Sequence, residues 1–324
     1  MWLCSPTICT AAAAALLAPA LAGPSTASAG PGDRERALHR YEAPAQVEVV
    51  GGVYHVPVKP DEALAEVAER EGVGVERLRA ANPHTATENA SERALRIPAR
   101  HVLPDTPREG LVIDVAGMRL FHYPEETDAV EVFPISTGRE GWPTPVAMKT
   151  EVAERLENPA WYPPESIRDS RAASDESGSL PRMVPPGAEN PLGEHVLILE
   201  VDGYLVHGTN EPHSIGERTS HGCARMHPQD IEHLFERVKA GTPVRFVDQP
   251  FRIGRSARGE VWVESHPSAP DGSNPELDRR FVRALPDIAG EGVAINGARL
   301  IEAVNDQDGI AVRVSVGEEG AGKR

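Results

Sequence analysis

Cysteine is scarce in this 324-residue chain, which contains three. Two of them, Cys4 and Cys9, lie in an N-terminal segment that an exported protein would lose. Cys223 is then the one thiol left, and a single thiol excludes an internal disulfide, which favours a reactive cysteine. A buried inert thiol is the alternative, but the sequence His-Gly-Cys-Ala-Arg around Cys223 is a poor core sequence.

Positive charge is also scarce, with 33 Lys and Arg against 49 Asp and Glu, a formal net charge of −16. This argues against nucleic acid or an anionic membrane surface as partner, and solubility is the simplest use of the acid excess. The main long apolar run, residues 11–22, is too short to span a bilayer comfortably and is followed by A-x-A-like cleavage sites. We therefore predict a signal peptide over 1–29, although no Lys or Arg precedes the apolar run.

A Pro-, Gly- and Ala-containing stretch predicts a linker over 30–50, before a compact unit over 51–100. Alternation from Val53 to Val58 predicts a strand, and two apolar stripes predict two short helices, the first capped by Asp61. A closing strand is expected at 95–98. This βααβ unit contains none of the thiol chemistry, so we expect acylation of Cys223 not to need it.

The region 109–248 is rich in strand patterns, including a hairpin around Ala116-Gly117. Periodicity disappears over 157–194, which predicts a long functional loop. After Cys223, Pro228 begins a short amphipathic helix that Gly241 ends. The C-terminal extension, 249–324, carries no recognisable motif. The fold is therefore expected to be mostly β.

His207 lies sixteen residues before Cys223, at the end of a predicted strand. A nearby imidazole can take the thiol proton, so this pair is the minimal set for thiolate catalysis. Backbone N–H groups of His221, Gly222 and Cys223 can form an oxyanion hole, and a following helix N-terminus would favour the thiolate. The planar guanidinium of Arg225 suits a substrate carboxylate.

Two segments carry a resemblance to a known family: His207-Gly208-Thr209 and Ser220-His221-Gly222-Cys223-Ala224-Arg225-Met226. Together they resemble the signature of the L,D-transpeptidases with a YkuD-type catalytic domain. Ser136-Thr137-Gly138, Thr144-Pro145 and Pro191-Leu192-Gly193 fit the same pattern upstream. Two positions depart from it: Ala147 stands where the family usually has glycine, and Ala224 replaces a larger apolar residue.

The unit over 51–100 resembles a LysM module, a peptidoglycan-binding fold. The matching positions are Tyr54, Val56, Leu64, Ala68, Leu78, Asn82 and Ile97-Pro98. The family's Gly-Asp-Thr-Leu turn is here Pro60-Asp61-Glu62-Ala63-Leu64, without its glycine and threonine. Both resemblances together point to the Gram-negative ErfK/YbiS/YcfS/YnhG group.

The resemblance implies a YkuD-type β-sandwich over 109–248 and a periplasmic enzyme without cofactor or metal. Cys223 would attack the bond between diaminopimelate and the terminal D-alanine of a peptidoglycan tetrapeptide stem, with His207 as general base. The remaining candidate residues fall into two groups by expected role. The oxyanion or orienting residues are His221, Gly222, Gly208 and Ser220, and the substrate-binding residues are Arg225 and Tyr204. A Braun-type lipoprotein is the expected acceptor.

Several alternatives stay open. The enzyme could cross-link two stems, or hydrolyse them, instead of attaching a lipoprotein. The chain could also be a wall-binding protein whose catalytic site is no longer active. A zinc site built from His207, His213, His221 and His227 lacks a short H-x-x-x-H or C-x-x-C pair. A papain-like or NlpC-type peptidase would place its cysteine before its histidine, whereas here the order is reversed.

Overall fold

The computed structural model of this chain describes residues 36–84, 94–173, 180–267 and 293–316. The signal peptide predicted over 1–29 lies outside these residues, as do parts of the predicted linker, of the 157–194 loop and of the C-terminal extension. No helix among the described residues is both long enough and apolar enough to cross a membrane.

Strands dominate the described chain. They are β1 His39–Glu42, β2 Val49–Pro57, β3 Ala94–Val102, β4 Gly110–Asp114, β5 Arg119–Tyr123, β6 Ala129–Gly138, β7 Lys149–Glu157, β8 His195–Leu199, β9 Leu205–His207, β10 Arg218–Ser220, β11 Ala224–Met226, β12 Pro243–Val247, β13 Phe251–Arg255, β14 Val261–Ser265 and β15 Val312–Arg313. The helices are α1 Leu64–Arg70, α2 Val75–Ala81, α3 Glu165–Ala173, α4 Pro228–Arg237 and α5 Gly297–Asp306. The mostly β fold expected from the sequence is confirmed.

The largest sheet has ten strands in the order β1-β6-β11-β9-β8-β7-β12-β4-β5, with β10 added beside β6. β5 also pairs with β6, so the path of paired strands returns on itself and encloses a core. Most neighbours are antiparallel, but β11 runs parallel to β9, β12 parallel to β4 and β10 parallel to β6. The parallel pair β9–β11 brings the segments around His207 and Cys223 side by side.

Helix α4 closes this core from outside. Its inward residues Ile231 and Leu234, together with Val238 directly after the helix, pack against strand residues that include Met226. Pro228 occupies the first turn, where its missing N–H costs nothing, and the stripe matches the pattern expected from the sequence. Burial of such a stripe is what holds a ten-residue helix that would be marginal alone.

The unit predicted over 51–100 has the expected βααβ order. β2 and β3 pair antiparallel over nine residues, from Val49 opposite Val102 to Pro57 opposite Ala94. Helices α1 and α2 bury their own apolar cluster against these strands. The expected cap at Asp61 is wrong: α1 begins at Leu64, and the Glu66 carboxylate caps it by accepting from the Ala63 N–H at 2.7 Å.

The predicted linker over 30–50 differs from the observed structure in its described part. Residues His39–Glu42 form β1, which pairs with β6 and adds an edge strand to the main sheet. The Arg40 guanidinium donates to the buried carboxylate of Glu131 at 2.8 Å. A composition rich in alanine and proline did not reveal a strand that is stabilised by pairing with a distant part of the chain.

The predicted 157–194 loop contains helix α3, Glu165–Ala173, and the C-terminal extension contributes a three-stranded sheet with helix α5. A buried ionic network joins this sheet to the rest. Glu264 of β14 accepts from the Val102 N–H at 2.8 Å and from Arg119 and Arg252. Burial alone would raise the pKa of Glu264, but Arg119, Arg252 and Arg77 outweigh it and hold that pKa well below its usual range.

Candidate active site

His207 is the last residue of β9, and Cys223 directly precedes β11, the parallel strand that pairs with β9. In the β9–β11 register Ala224 is opposite Val206, and Arg225 is opposite His207. Val206 and Ala224 point into the core, where both are fully buried. Because side chains alternate between the faces of a strand, His207 and Arg225 are directed to the opposite face, and Cys223 lies in the turn that leads directly into β11. The pairing of β9 with β11 therefore brings the segments that carry the candidate nucleophile and the candidate base side by side.

The Cys223 thiol is half-buried and lies between two backbone groups. Its Sγ donates to the Gly203 carbonyl oxygen at 3.6 Å. Burial raises the pKa of the thiol, and the Leu205 N–H and the Arg225 charge only partly oppose this. The expectation of a helix N-terminus beside the thiol is wrong, because the whole of β11 separates Cys223 from α4. A neutral thiol at pH 7 therefore needs a base to deprotonate it.

The His207 imidazole is buried at the end of β9. Its Nδ1 lies 2.7 Å from the Gly208 carbonyl oxygen, which can only accept a hydrogen bond. The neutral ring therefore carries its proton on Nδ1 and its basic lone pair on Nε2. Burial and the Arg225 charge lower the pKa of His207 to about 4, against the carbonyls of Gly208 and Leu192. At pH 7 the ring is neutral and able to accept a proton.

Ser220 shapes the turn that carries the thiol. Its buried Oγ donates to the Cys223 carbonyl oxygen at 2.6 Å and accepts from the Gly222 N–H at 3.1 Å. The Gly222 N–H is thus already engaged, which removes one of the three donors expected for an oxyanion hole. The N–H groups of His221 and Cys223 remain as candidates. The backbone at position 222 has a φ of +103°. Residues other than glycine rarely adopt this conformation, so glycine is needed here.

Thr144 connects the turn that carries Cys223 to the main sheet through two hydrogen bonds. Its buried hydroxyl donates to the Gly222 carbonyl oxygen at 2.9 Å and accepts from the Gly138 N–H at 2.8 Å. A Cβ on Gly138 would lie 1.9 Å from the Trp142 carbonyl oxygen, so only glycine allows this approach. The resemblance of the Ser-Thr-Gly and Thr-Pro segments to the family pattern indicated that this region belongs to the catalytic domain. It did not predict that the Thr144 hydroxyl bridges Gly138 and Gly222.

Two guanidinium groups lie at the turn that carries the thiol. Arg139 donates from Nη2 to His221 Nε2 at 2.9 Å, and the His221 ring packs edge-on against Trp142 with centroids 4.9 Å apart. Arg225 pairs loosely with the exposed Glu211, at 3.8 Å. Burial together with the charges of Arg139 and Arg225 lowers the pKa of His221 to about 4. Sequence reasoning missed Arg139 and Trp142, since both lie eighty residues from the cysteine motif.

The other predicted residues divide between the site and its surroundings. Tyr204 lies in the turn before β9, and its ring comes within 3.5 Å of the position a Cβ on Gly222 would take. His213 is exposed, whereas His227 is buried at the N-terminus of α4. Among the described residues no group of three or more His, Cys, Asp and Glu side chains has the geometry of a metal site.

A thiol, a neutral imidazole held in one tautomer, backbone donors and two guanidinium groups form a candidate site for cysteine-dependent acyl transfer. Comparison with known proteins agrees with this class. The YkuD family, described as an L,D-transpeptidase catalytic domain, matches residues 108–246.

Relatives extend the match over most of the chain. The "Probable L,D-transpeptidase ErfK/SrfK" of Salmonella typhimurium is 34% identical over 82% of this chain and 86% of its own length. The protein of the same name from Escherichia coli is 36% identical over 81% and 85%. The Escherichia coli "Probable L,D-transpeptidase YcfS" is 38% identical over 69% and 71%. This chain belongs to the YkuD family, and it is an L,D-transpeptidase of the kind that acts on peptidoglycan.

Solved structures of the family align with part of the chain. The catalytic domain of the Enterococcus faecium L,D-transpeptidase aligns with a TM-score of 0.34 and 20% identity, over 44% of this chain and 99% of that domain. An L,D-transpeptidase from Mycobacterium smegmatis aligns with a TM-score of 0.34 and 18% identity, over 43% and 58%.

Proposed function

We propose that Cys223 is the nucleophile of this transpeptidase and His207 its general base. The observation that carries this assignment is the 2.7 Å contact between His207 Nδ1 and the Gly208 carbonyl oxygen, which leaves the basic lone pair on Nε2, at the end of the strand that pairs with the strand following Cys223. His207 takes the thiol proton as Sγ attacks a carbonyl carbon. The same proton then passes to the leaving amine, and a thioester remains on Cys223.

The donor is a tetrapeptide stem cleaved between diaminopimelate and the terminal D-alanine. Two guanidinium groups at the turn that carries Cys223 support this choice, because the D-alanine leaving group ends in a carboxylate and diaminopimelate carries another at the end of its side chain. Arg225 is paired only loosely with Glu211, and Arg139 contacts a neutral histidine. Both therefore keep donors for substrate carboxylates, which a planar guanidinium binds in a bidentate manner.

The acceptor is the C-terminal lysine amine of a Braun-type lipoprotein. The support is the charge around the thiol: Asp202 is exposed beside Gly203, whose carbonyl contacts Sγ, and Glu211 is exposed beside Arg225. These carboxylates attract an ammonium group over about 8 Å at physiological ionic strength. His207 then takes a proton from the neutral amine as it attacks the thioester, the C–S bond breaks as the amide forms, and the proton passes to the departing Cys223 thiolate. We further propose that the enzyme is exported to the periplasm, where stems and lipoproteins meet.

The acceptor is tested in a Gram-negative host lacking all such transpeptidases. Sacculi from cells expressing the wild-type chain or Cys223→Ala are digested with muramidase and analysed by mass. Remnants of the lipoprotein tail on tripeptide stems, present only with the wild type, are expected. Diaminopimelate–diaminopimelate dimers without such remnants would contradict lipoprotein attachment and favour stem cross-linking. Bare tripeptide stems alone would favour hydrolysis.

The βααβ unit is proposed to bind the glycan of the cell wall, as its LysM-like order of elements supports. Full-length Cys223→Ala protein is incubated with sacculi whose stem peptides an amidase has removed. Retention on these bare glycan strands is expected. If the protein is not retained on the bare glycan strands but is retained on intact sacculi, it binds the stem peptides through its active site and not the glycan.

A further inference from the structure

The segment between the two catalytic residues lies against the βααβ unit. Residues 208–217 connect β9 to β10, and they include a short 3₁₀ turn, Pro212–Ser214. On one side this active-site loop, as we name residues 208–217, is held by the main sheet. The Ser136 hydroxyl donates to the Ser214 carbonyl oxygen at 2.6 Å.

On its other side the active-site loop is held by the turn between α1 and α2. The Val75 N–H donates to the Ile215 carbonyl oxygen at 3.2 Å. Gly74 and Gly216 touch directly: a Cβ on Gly216 would lie 2.5 Å from the Gly74 Cα. Val75, Ile215 and Gly216 are all buried, so this is a packed interface. Two glycines meeting backbone to backbone leave little freedom for the loop to shift.

A second connection reaches the element that follows Cys223. Arg36 forms a two-bonded ion pair with Asp230 of α4, at 2.7 and 2.6 Å, and it also donates to the Glu69 carbonyl oxygen at the end of α1. The Ala37 N–H donates to the Arg70 carbonyl oxygen at 3.0 Å. The βααβ unit is therefore connected both to the loop before the nucleophile and to the helix after it.

We propose that the βααβ unit positions the active site for acylation, through the Val75–Ile215 hydrogen bond and the Gly74–Gly216 contact. This rests on the proposed role of Cys223, but not on the identity of the acceptor. It reverses the expectation from the sequence that acylation does not need the unit. The physical reason is that the loop between His207 and the Cys223 turn has this unit as one of its two walls, and small displacements of catalytic groups are costly.

A pair of substitutions at one position isolates the hydrogen bond. Val75 is the first residue of α2, where proline is tolerated, and Gly74 before it has extended dihedrals that suit a following proline. Val75→Pro removes the N–H and places ring atoms against Ile215, whereas Val75→Ala removes side-chain packing but keeps the N–H. Both proteins are made full length, and acylation of Cys223 by a carbapenem is followed by intact mass.

We expect Val75→Pro to lower the maximal acylation rate about 10- to 100-fold, with Val75→Ala staying within about threefold of wild type. Hydrogen exchange should increase over 208–217 in Val75→Pro while the main sheet stays protected. The proposal would be overturned if Val75→Pro and Val75→Ala were acylated at equal rates although hydrogen exchange over 208–217 had increased in Val75→Pro. Loss of acylation in both variants would assign the effect to general stability and overturn it too.

If Val75→Pro does not fold, a second pair of substitutions, Gly74→Ala and Gly52→Ala, tests the proposal. A Cβ at Gly74 lies 3.1 Å from the Gly216 Cα, whereas a Cβ at Gly52 of the same unit meets only Arg100 Nη2, at 4.0 Å. Gly74→Ala should slow acylation by about threefold or more, and Gly52→Ala should not. Equal rates would overturn the proposal. Acylation that survives in Cys223→Ala would instead defeat the proposed nucleophile, so the two failures are distinguishable.

Discussion

Arg225 lies directly opposite His207 in the parallel pairing of β11 with β9. Burial, together with the cation that this register places beside the imidazole, lowers the pKa of His207 to about 4. The base is therefore neutral over the whole physiological range, while burial keeps its thiol partner protonated. Before the reaction the site therefore holds a neutral thiol and a neutral imidazole, and the thiol proton is transferred to His207 as Sγ attacks.

The pH dependence of acylation follows from this pairing. We expect the second-order acylation rate to be level between about pH 5.5 and 7.5 and to fall in acid with a midpoint near pH 4, as His207 gains a proton and stops acting as a base. Arg225→Gln removes the cation and should shift the midpoint to higher pH. Arg225→Lys keeps the charge and serves as the control. An unmoved midpoint in Arg225→Gln would contradict the assignment of His207.

Thr144 is predicted to matter through its hydroxyl alone. Thr144→Val keeps the shape but leaves the Gly138 N–H and the Gly222 carbonyl without their shared partner, which costs about 1–3 kcal/mol in unfolding free energy. Because Gly222 precedes Cys223, acylation should slow as well. Thr144→Ser, which restores the hydroxyl, is the control for both measurements. Wild-type stability in Thr144→Val by urea titration would show that the bridge contributes nothing.

Ala147, where glycine was expected, has a φ of +56°. A left-handed conformation costs an alanine about 1 kcal/mol relative to glycine, so Ala147→Gly is expected to raise the unfolding free energy by roughly that amount. The matched control is Ala172→Gly in α3, an exposed helical position where the same change should destabilise by about 0.5–1 kcal/mol. Two losses of similar size in urea titrations would show that Ala147 is not strained.

Stability should depend on pH through buried histidines. Burial lowers the pKa values of His39, His207 and His266 to about 4, below the 6.5 of an exposed histidine. Between pH 6.5 and 4 the unfolded chain therefore binds more protons than the folded one, and stability falls as pH falls. The urea midpoint should decrease steadily from pH 7 to pH 5. A constant or rising midpoint over that range would contradict neutral burial of these rings.

The candidate site was largely predictable because its chemistry is concentrated in one short motif. Cys223, Ser220 and Arg225 lie within six residues, and the strand ending at His207 was readable from its apolar pattern. Helix α4 followed in the same way from Pro228 and its stripe.

What the sequence did not predict depends on contacts between distant segments. β1 exists because it pairs with β6, some ninety residues away, and its own composition resembles a linker. Arg139 reaches His221 across eighty-two residues, and Val75 reaches Ile215 across a hundred and forty. Helix α4 begins at Pro228 as expected, but its N-terminus does not adjoin Cys223, because Ala224–Met226 form β11 and pair with both β6 and β9.

One measurement tests the central claim most directly: the purified enzyme is mixed with a diaminopimelate-containing tetrapeptide stem without an acceptor, and the protein and released D-alanine are analysed by mass. We predict one tripeptide acyl group in thioester linkage on Cys223 for each D-alanine released in the first turnover, and neither product with Cys223→Ala. Release of D-alanine by Cys223→Ala at the wild-type rate, or an acyl group on another residue, would contradict it.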